Sequence, residues 1–322
     1  MHPETEQQLG TLEVLLAEHC LFYLPGHEYS EDFQLCVWDA TQWGPFTPLG
    51  LVKVEGWMTE TDPEVALQSW QWPEQTSLAA KGLLEYSPDW HKADPAQISL
   101  TADCQQARQD IYQSLLVLLE SELPILKAYT LSYCAAYQIS VLVGQLPDQS
   151  WLCIAPTVPH ETRDYTNAEV ISWPLLQSES PRENISAIET QIAEKISNLD
   201  PIPTYGWYQG GYGKTHTYQL IYGVGATEAI ALEKTLEKAG LITICQFEQL
   251  DIDKQIDDYY HSDTQVIIER LSRLERFLKQ IFAEIVLYRI CFWDYEHLYL
   301  LGNSKAQDKV GVVLRSQFTY NP

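Results

Sequence analysis

The residues with most to offer chemically lie in and after one acidic turn. His27, Glu28, Tyr29, Ser30, Glu31 and Asp32 run together, and Trp38, Asp39 and Trp43 follow shortly. Carboxylates pair bidentately with arginine or reach a metal held by another protein, and tryptophan and tyrosine are frequent interface anchors. Glu28, Tyr29, Glu31, Asp32, Trp38, Asp39 and Trp43 are therefore the candidate partner-binding residues. The plainer alternative is a solvated loop lying over two core tryptophans.

Other motifs read as structure. Gly206, Gly210, Gly211, Gly213, Lys214 and Thr215 suggest a phosphate loop, but the required first glycine would fall at Tyr208. The residues after Thr215 read as strand, whereas a phosphate loop opens a helix. A hairpin or flexible loop is the expected form. Gly223, Val224 and Gly225 follow a strand and precede a helix, as a dinucleotide fingerprint does, but its sixth position is Glu228. A carboxylate there repels pyrophosphate and favours the helix dipole.

His160, Glu161 and Asp164 sit in a proline-flanked stretch that cannot aim ligands as a helix would. Strand alternation sends Glu296 and His297 to opposite faces, so Asp294, Glu296 and His297 do not converge on a metal. Arg270, Arg273, Arg276 and Lys279 drift around a helix interleaved with Glu269, Glu275 and Glu284, which reads as a solvated face. No nucleophile elbow is present. The chain is expected to be non-catalytic, without metal or cofactor.

Behind these residues stand elements with clear periods. The N-terminal helix pattern at 4–19 leads to strands at Leu21–Leu24 and Phe33–Trp38, the latter alternating as a sheet strand does. Residues 40–100 are irregular and rich in Trp and Pro, either a packed insertion or a binding surface, with a short strand expected at Leu49–Val54. A helix at 105–123 ends at Pro124, and strands at 127–134, 137–143 and 151–155 follow. After a polar stretch come a helix at 184–197, a strand at 217–223, a helix at 227–239 and a strand at 241–247. A helix at 264–286 and strands at 287–301 and 309–315 complete the chain. Ile267, Leu271, Leu274, Leu278, Ile281 and Ile285 mark a core-facing side of the long helix rather than a coiled-coil seam.

These elements occur twice. Tyr137, Gly144 and Gln149 recur as Tyr295, Gly302 and Gln307 at a constant offset of 158 residues. Leu9, Leu12, Leu16 and Cys20 step along a helix face as Ile185, Ile188, Ile192 and Ile196 do. Phe33-Gln34-Leu35 then matches Tyr218-Gln219-Leu220. Internal repetition reduces the question to what one module does.

The net charge is −24, and residues 1–160 hold −16 of it; the first basic residue is Lys53. Such a field disfavours nucleic acid and anionic membranes and speeds docking onto a basic protein, although solubility alone also accounts for it. The seven cysteines show no CxxC or Cys/His cluster and mostly sit in apolar runs, which reads as buried and reduced. No apolar run is long enough to cross a membrane, and the first residues lack a secretory pattern, so a cytoplasmic location is expected.

Leu21-Phe22-Tyr23-Leu24, Glu28-Tyr29 and Phe33-Gln34-Leu35-Cys36-Val37-Trp38 resemble the cyanobacterial nuclease A inhibitor-like family. So do Tyr137–Gly144 with Trp151–Ala155, and Tyr299–Gly302 with Val310–Leu314. The resemblance covers the ends of both halves and not residues 45–100. It implies a compact α/β/α sandwich that covers the active site of a secreted, sugar-non-specific nuclease, using an acidic loop and the C-terminus of the domain. The chain has Gly26 where the family places a carboxylate, which leaves Glu28, Glu31 and Asp32 as substitutes.

The expectation is thus an α+β chain of two tandem α/β/α sandwich modules with mainly antiparallel sheets, at 1–158 and 184–322, joined by a linker at 159–183. It would bind a basic protein, with a nuclease as candidate, and neither nucleic acid nor membrane. The alternative is a scaffold or regulatory adaptor that has lost inhibition.

Overall fold

The computed structural model describes residues 2–22, 24, 29–71, 100–134, 138–158, 169–170, 186–208, 211–250, 252, 264–293, 295–304, 307–317 and 319–321. The fold is α+β with mainly antiparallel sheets. The chain forms two compact units, and neither follows the sequential halves. One comprises Met1–Leu51, Glu161–Trp173 and Ile242–Phe318; the other comprises Val52–His160, Pro174–Leu241 and Thr319–Pro322. The boundaries expected at 158 and 184 are therefore replaced by a reciprocal exchange, in which each unit joins the front of one repeat to the back of the other.

In the first unit, α1 (Pro3–Leu16), β1 (Tyr29–Ser30), β2 (Gln34–Trp38) and the short α2 (Ala40–Trp43) come from the front of the chain. They join β7 (Glu169–Val170), β11 (Ile242–Gln246), α8 (Thr264–Ile281), β12 (Ile285–Phe292), β13 (Tyr295–Asn303) and β14 (Lys309–Gln317). The sheet order is β1-β14-β13-β12-β11-β7, with β2 also on β14. One core holds Leu12 from α1 and Cys20, Phe22, Leu24 and Phe33. Leu271, Leu274 and Leu278 of α8 and Leu298, Leu300, Val310 and Val312 of the sheet complete it. Burying each large apolar side chain contributes ~1.5–3 kcal/mol, which is the driving force for the cross-repeat assembly. A polar latch adds direction: the fully buried Asp308 accepts hydrogen bonds from Thr5 Oγ1 and the Ala40 backbone N–H, both at 2.9 Å.

The second unit contains α4 (Pro63–Trp70), β3 (Met58–Thr61), α5 (Ala102–Glu122), β4 (Ile125–Leu131), β5 (Ile139–Gln145) and β6 (Trp151–Pro156) from the first repeat. The second repeat supplies α6 (Ala187–Ser197), β8 (Ile202–Tyr208), β9 (Gly211–Tyr218), β10 (Leu220–Gly225) and α7 (Glu228–Lys238). β10 pairs with β6, and the order is β10-β6-β5-β4-β3. Trp70, Tyr112, Leu115, Leu119, Leu142, Ile154, Ile192 and Leu220 build the core on one face. On the other face α7 lies close to β10, where a Cβ on Gly225 would stand 2.6 Å from the Ala231 backbone nitrogen. β15 (Thr319–Asn321) joins β8 and β9 in a three-stranded antiparallel sheet of order β15-β8-β9.

The repeat itself is borne out. Gln149 and Gln307 share a left-handed backbone, at φ 70° and 65°. A Cβ on Gly144 would strike Leu123 and one on Gly302 would strike Phe282, so each glycine receives the side chain that follows its helix. The front alignment slips by two residues. Trp38 faces Lys309 as Gly225 faces Trp151, so Phe33 corresponds to Leu220 rather than to Tyr218. A slip of two keeps every side chain on its own face, which is why the alternation did not reveal it.

Local readings are corrected in three places. Leu49–Val54 lies in helix α3 (Pro48–Val54), not a strand; Thr47 Oγ1 caps the Gly50 N–H at 2.8 Å and Gly56 closes the turn at φ 73°. A short apolar run does not discriminate helix from strand, and the caps decide. The long helix stops at Ile281, and the expected strand at 287–301 is a hairpin that turns at Trp293, φ 64°. Of the expected strand Leu21–Leu24, Leu21 makes an isolated bridge to Asp32. Among the described residues no helix is long and apolar enough to cross a membrane.

Candidate partner-binding surface

The acidic segment runs along the outer side of β14 as a broken strand. β2 pairs with Lys309–Val313, β1 with Ser316 and Gln317, and between them the Glu31 N–H donates to the Arg315 carbonyl at 2.9 Å. Tyr29 faces Gln317 and Ser30 faces Ser316, with the two serine hydroxyls 2.9 Å apart. The front of the first repeat thus lies against β14 of the second.

Its carboxylates are already engaged. Glu31, a third exposed, accepts from Gln34 Nε2 at 3.1 Å and lies 4.0 Å from the Arg315 guanidinium, which also donates to Gln34 Oε1. Asp32 meets His19 at 2.7 Å. Asp39 caps α2 through the Thr41 N–H and hydroxyl, and the hydroxyl bond holds its pKa below the ordinary value. Exposed pairs of this kind contribute little to stability and are open to exchange for a partner's cation.

The expected cluster divides in two. Glu31 and Asp32 precede β2, whereas Asp39 and Trp43 follow it, so the length of the strand separates them, roughly 17 Å for five residues. Trp38 does not belong to the contact set. Its ring is 3% exposed, its indole N–H donates to the Gly44 carbonyl at 2.8 Å, and Trp43 and Phe46 pack on it. A side chain so enclosed supports Trp43, which is 39% exposed and can still meet a partner. Glu28 lies outside the described residues, and only the backbone of Tyr29 is described.

The motifs read as structure behave accordingly. Gly206, Gly211, Gly213, Lys214 and Thr215 lie on the antiparallel strands β8 and β9, and Gly210 lies outside the described residues. Gly223, Val224 and Gly225 belong to β10, and the helix that follows carries its own anion. Glu228, in the first turn of α7, accepts from Lys127 Nζ and the Tyr129 hydroxyl, both at 2.6 Å. Burial opposes ionisation of Glu228, but these two hydrogen bonds and the charges of Lys127 and Lys53 leave its pKa below the usual carboxylate value.

Glu296 and His297 do face opposite ways. Glu296 pairs with Arg289 in the interior, while His297 stacks on Tyr299 with ring centroids 6.5 Å apart. Burial, with Arg315 nearby, holds the His297 pKa at about 3. Arg270 pairs with Glu18, and Arg273, Arg276 and Lys279 are exposed. All seven cysteines are free thiols; burial raises Cys20 and Cys153 to about 12, which suits apolar filler rather than nucleophiles. Among the described residues no three His, Cys, Asp or Glu side chains form a metal-binding group.

What the sequence reading missed is the basic counterpart of the acidic front. Arg315 and Arg270 of the second repeat meet Glu31 and Glu18 of the first. The uneven charge of the two halves is the signal that could have suggested it, since the second half holds most of the basic residues. Comparison with protein-family models, curated proteins and solved structures finds no match.

Proposed function

We propose that the chain is a non-catalytic protein-binding protein that docks the acidic segment around Glu28, Glu31 and Asp32 onto a basic surface, with a sugar-non-specific nuclease as the candidate partner. The observation that carries this reading is the register of Tyr29 with Gln317 and Ser30 with Ser316. The resemblance assigns inhibition to an acidic loop and to the C-terminal end of the same domain. In sequential modules Tyr29 and Ser30 of the first repeat would stand apart from β14 of the second; through the exchange they pair with it, while Thr319–Asn321 beyond it pair with β8. The net charge of −24 adds long-range attraction for a cationic partner.

A scaffold or regulatory adaptor is the second reading, favoured by the intramolecular partners that Glu31 and Asp32 already hold. The test is titration of the full chain against a sugar-non-specific nuclease. The inhibitor reading expects a salt-sensitive complex and a nuclease rate that falls to near zero at saturation. Glu28→Lys with Glu31→Lys should weaken the complex about a hundredfold, for two charge reversals at roughly 1.4 kcal/mol each. A complex with an unchanged nuclease rate favours the adaptor, and no complex with the nuclease removes the inhibitor reading.

A further inference from the structure

Apart from β1, the two sheets have the same order, and they differ at the edge away from β2 and β10. In the first unit the strand that follows the β2–α3 type of crossover is β11, and its outer side is taken by β7: Val170 pairs with Cys245 and Glu169 with Gln246. β3 holds the matching position in the second unit, at the end of the order β10-β6-β5-β4-β3. Among the described residues no strand pairs with its outer side, and Met58–Thr61 have no backbone partner besides β4.

The backbone there is set to receive one. The Ser132 N–H donates to the Trp57 carbonyl at 2.8 Å, and Trp57 stands opposite Ser132 in the register that continues Met58↔Leu131. That makes 57–132 a hydrogen-bonded pair, and alternation then turns the N–H and C=O of Met58 and Glu60 away from β4. The flanking side chains are acidic and exposed: Glu55, Glu60, Asp62 and Glu64.

We infer that the outer edge of β3 takes up an extended lysine- or arginine-rich segment of a partner protein as an added antiparallel strand. The backbone groups of Met58 and Glu60 supply the ladder, and the carboxylates select the charge. The occupied edge of β11 is the precedent for the geometry within this chain. A second copy is a poor occupant, because pairing two such edges sets carboxylates against each other. Charge on an edge also serves simply to keep strands away, and the experiment separates the two roles.

The full chain is titrated at low ionic strength with a fluorescent heptapeptide of alternating Lys and Val, and amide exchange is followed residue by residue. Saturable binding is expected, with exchange at Met58 and Glu60 slowed about tenfold, while an alternating Glu and Val peptide leaves both amides unchanged. Met58→Pro removes one outward N–H and no bond to β4, and it should weaken the peptide roughly fivefold or more. Glu60→Lys with Glu64→Lys should weaken it at least as far, whereas Glu28→Lys with Glu31→Lys should not, which keeps this edge distinct from the acidic segment. No binding, or binding without slowed exchange at Met58 and Glu60 in the unaltered chain, overturns the inference. Protection of those amides by dimerisation in the absence of peptide overturns it too.

Discussion

Cut within residues 174–185, the chain is expected to remain one particle. The two fragments should co-elute in equal amounts, and neither alone should melt cooperatively. The first unit draws Leu12, Cys20, Phe22, Leu24 and Phe33 from the N-terminal fragment and the rest of that core largely from the C-terminal one. Losing five buried side chains removes roughly 10 kcal/mol of burial, comparable with the ~5–15 kcal/mol that holds a typical domain together. It also strips β2 from the five β14 residues that it faces. The second unit is equally dependent, since β10 pairs with six residues of β6 and α6 brings Ile192 to the core. Size-exclusion chromatography and thermal melting of each fragment and of the mixture read the outcome. Two separately folded monomers would show sequential modules instead.

Acid should loosen the fold well before carboxylates protonate, and His297 is the reason. Its folded pKa of about 3 lies far below the ~6.5 of an exposed imidazole. Between those values the unfolded chain binds a proton that the folded chain excludes, so stability falls as pH drops from about 6.5 toward 3. At ~1.4 kcal/mol per unit, the full interval represents roughly 4–5 kcal/mol. Glu228 and Asp39 have depressed pKa values, and their contributions disappear only below the ordinary carboxylate range; Glu237, raised by burial, opposes the histidine slope just above that range, so the fall beginning near 6.5 is the histidine's signature. Urea unfolding at pH 8, 6.5, 5.5 and 4.5 should show this slope in the unaltered chain. His297→Gln should flatten it, at some cost in stability at pH 8. A slope unchanged by that substitution would remove His297 as the cause.

Much of the architecture was legible because period and burial are local. Leu271, Leu274 and Leu278 at helical spacing are the buried face of α8, and Ile154 and Leu142 fall on the buried faces of alternating strands. The repeat was legible too, because Gly144 and Gly302, like Gln149 and Gln307, answer the same steric demand. Strand partnership was not. Alternation tells β2 which face to bury but not whether to pair with β6 or β14, two strands of one repeated pattern that offer it similar neighbours. Trp38 misled for a related reason: a tryptophan at a strand end reads as an anchor until Trp43 and Phe46 are seen to cover it. Asp39 likewise reads as a free carboxylate until the cap on Thr41 is seen.

The claim on which both the fold and the functional reading rest is that the acidic front of the first repeat lies against β14 of the second. Ser30 and Ser316 stand opposite each other with hydroxyls 2.9 Å apart, so cysteines placed at both positions have a short reach to bond. In Ser30→Cys with Ser316→Cys, mild oxidation followed by digestion and mass spectrometry should recover one intramolecular peptide pair joining the two positions. Free thiols at both, or a bond formed only between molecules, would contradict the exchange.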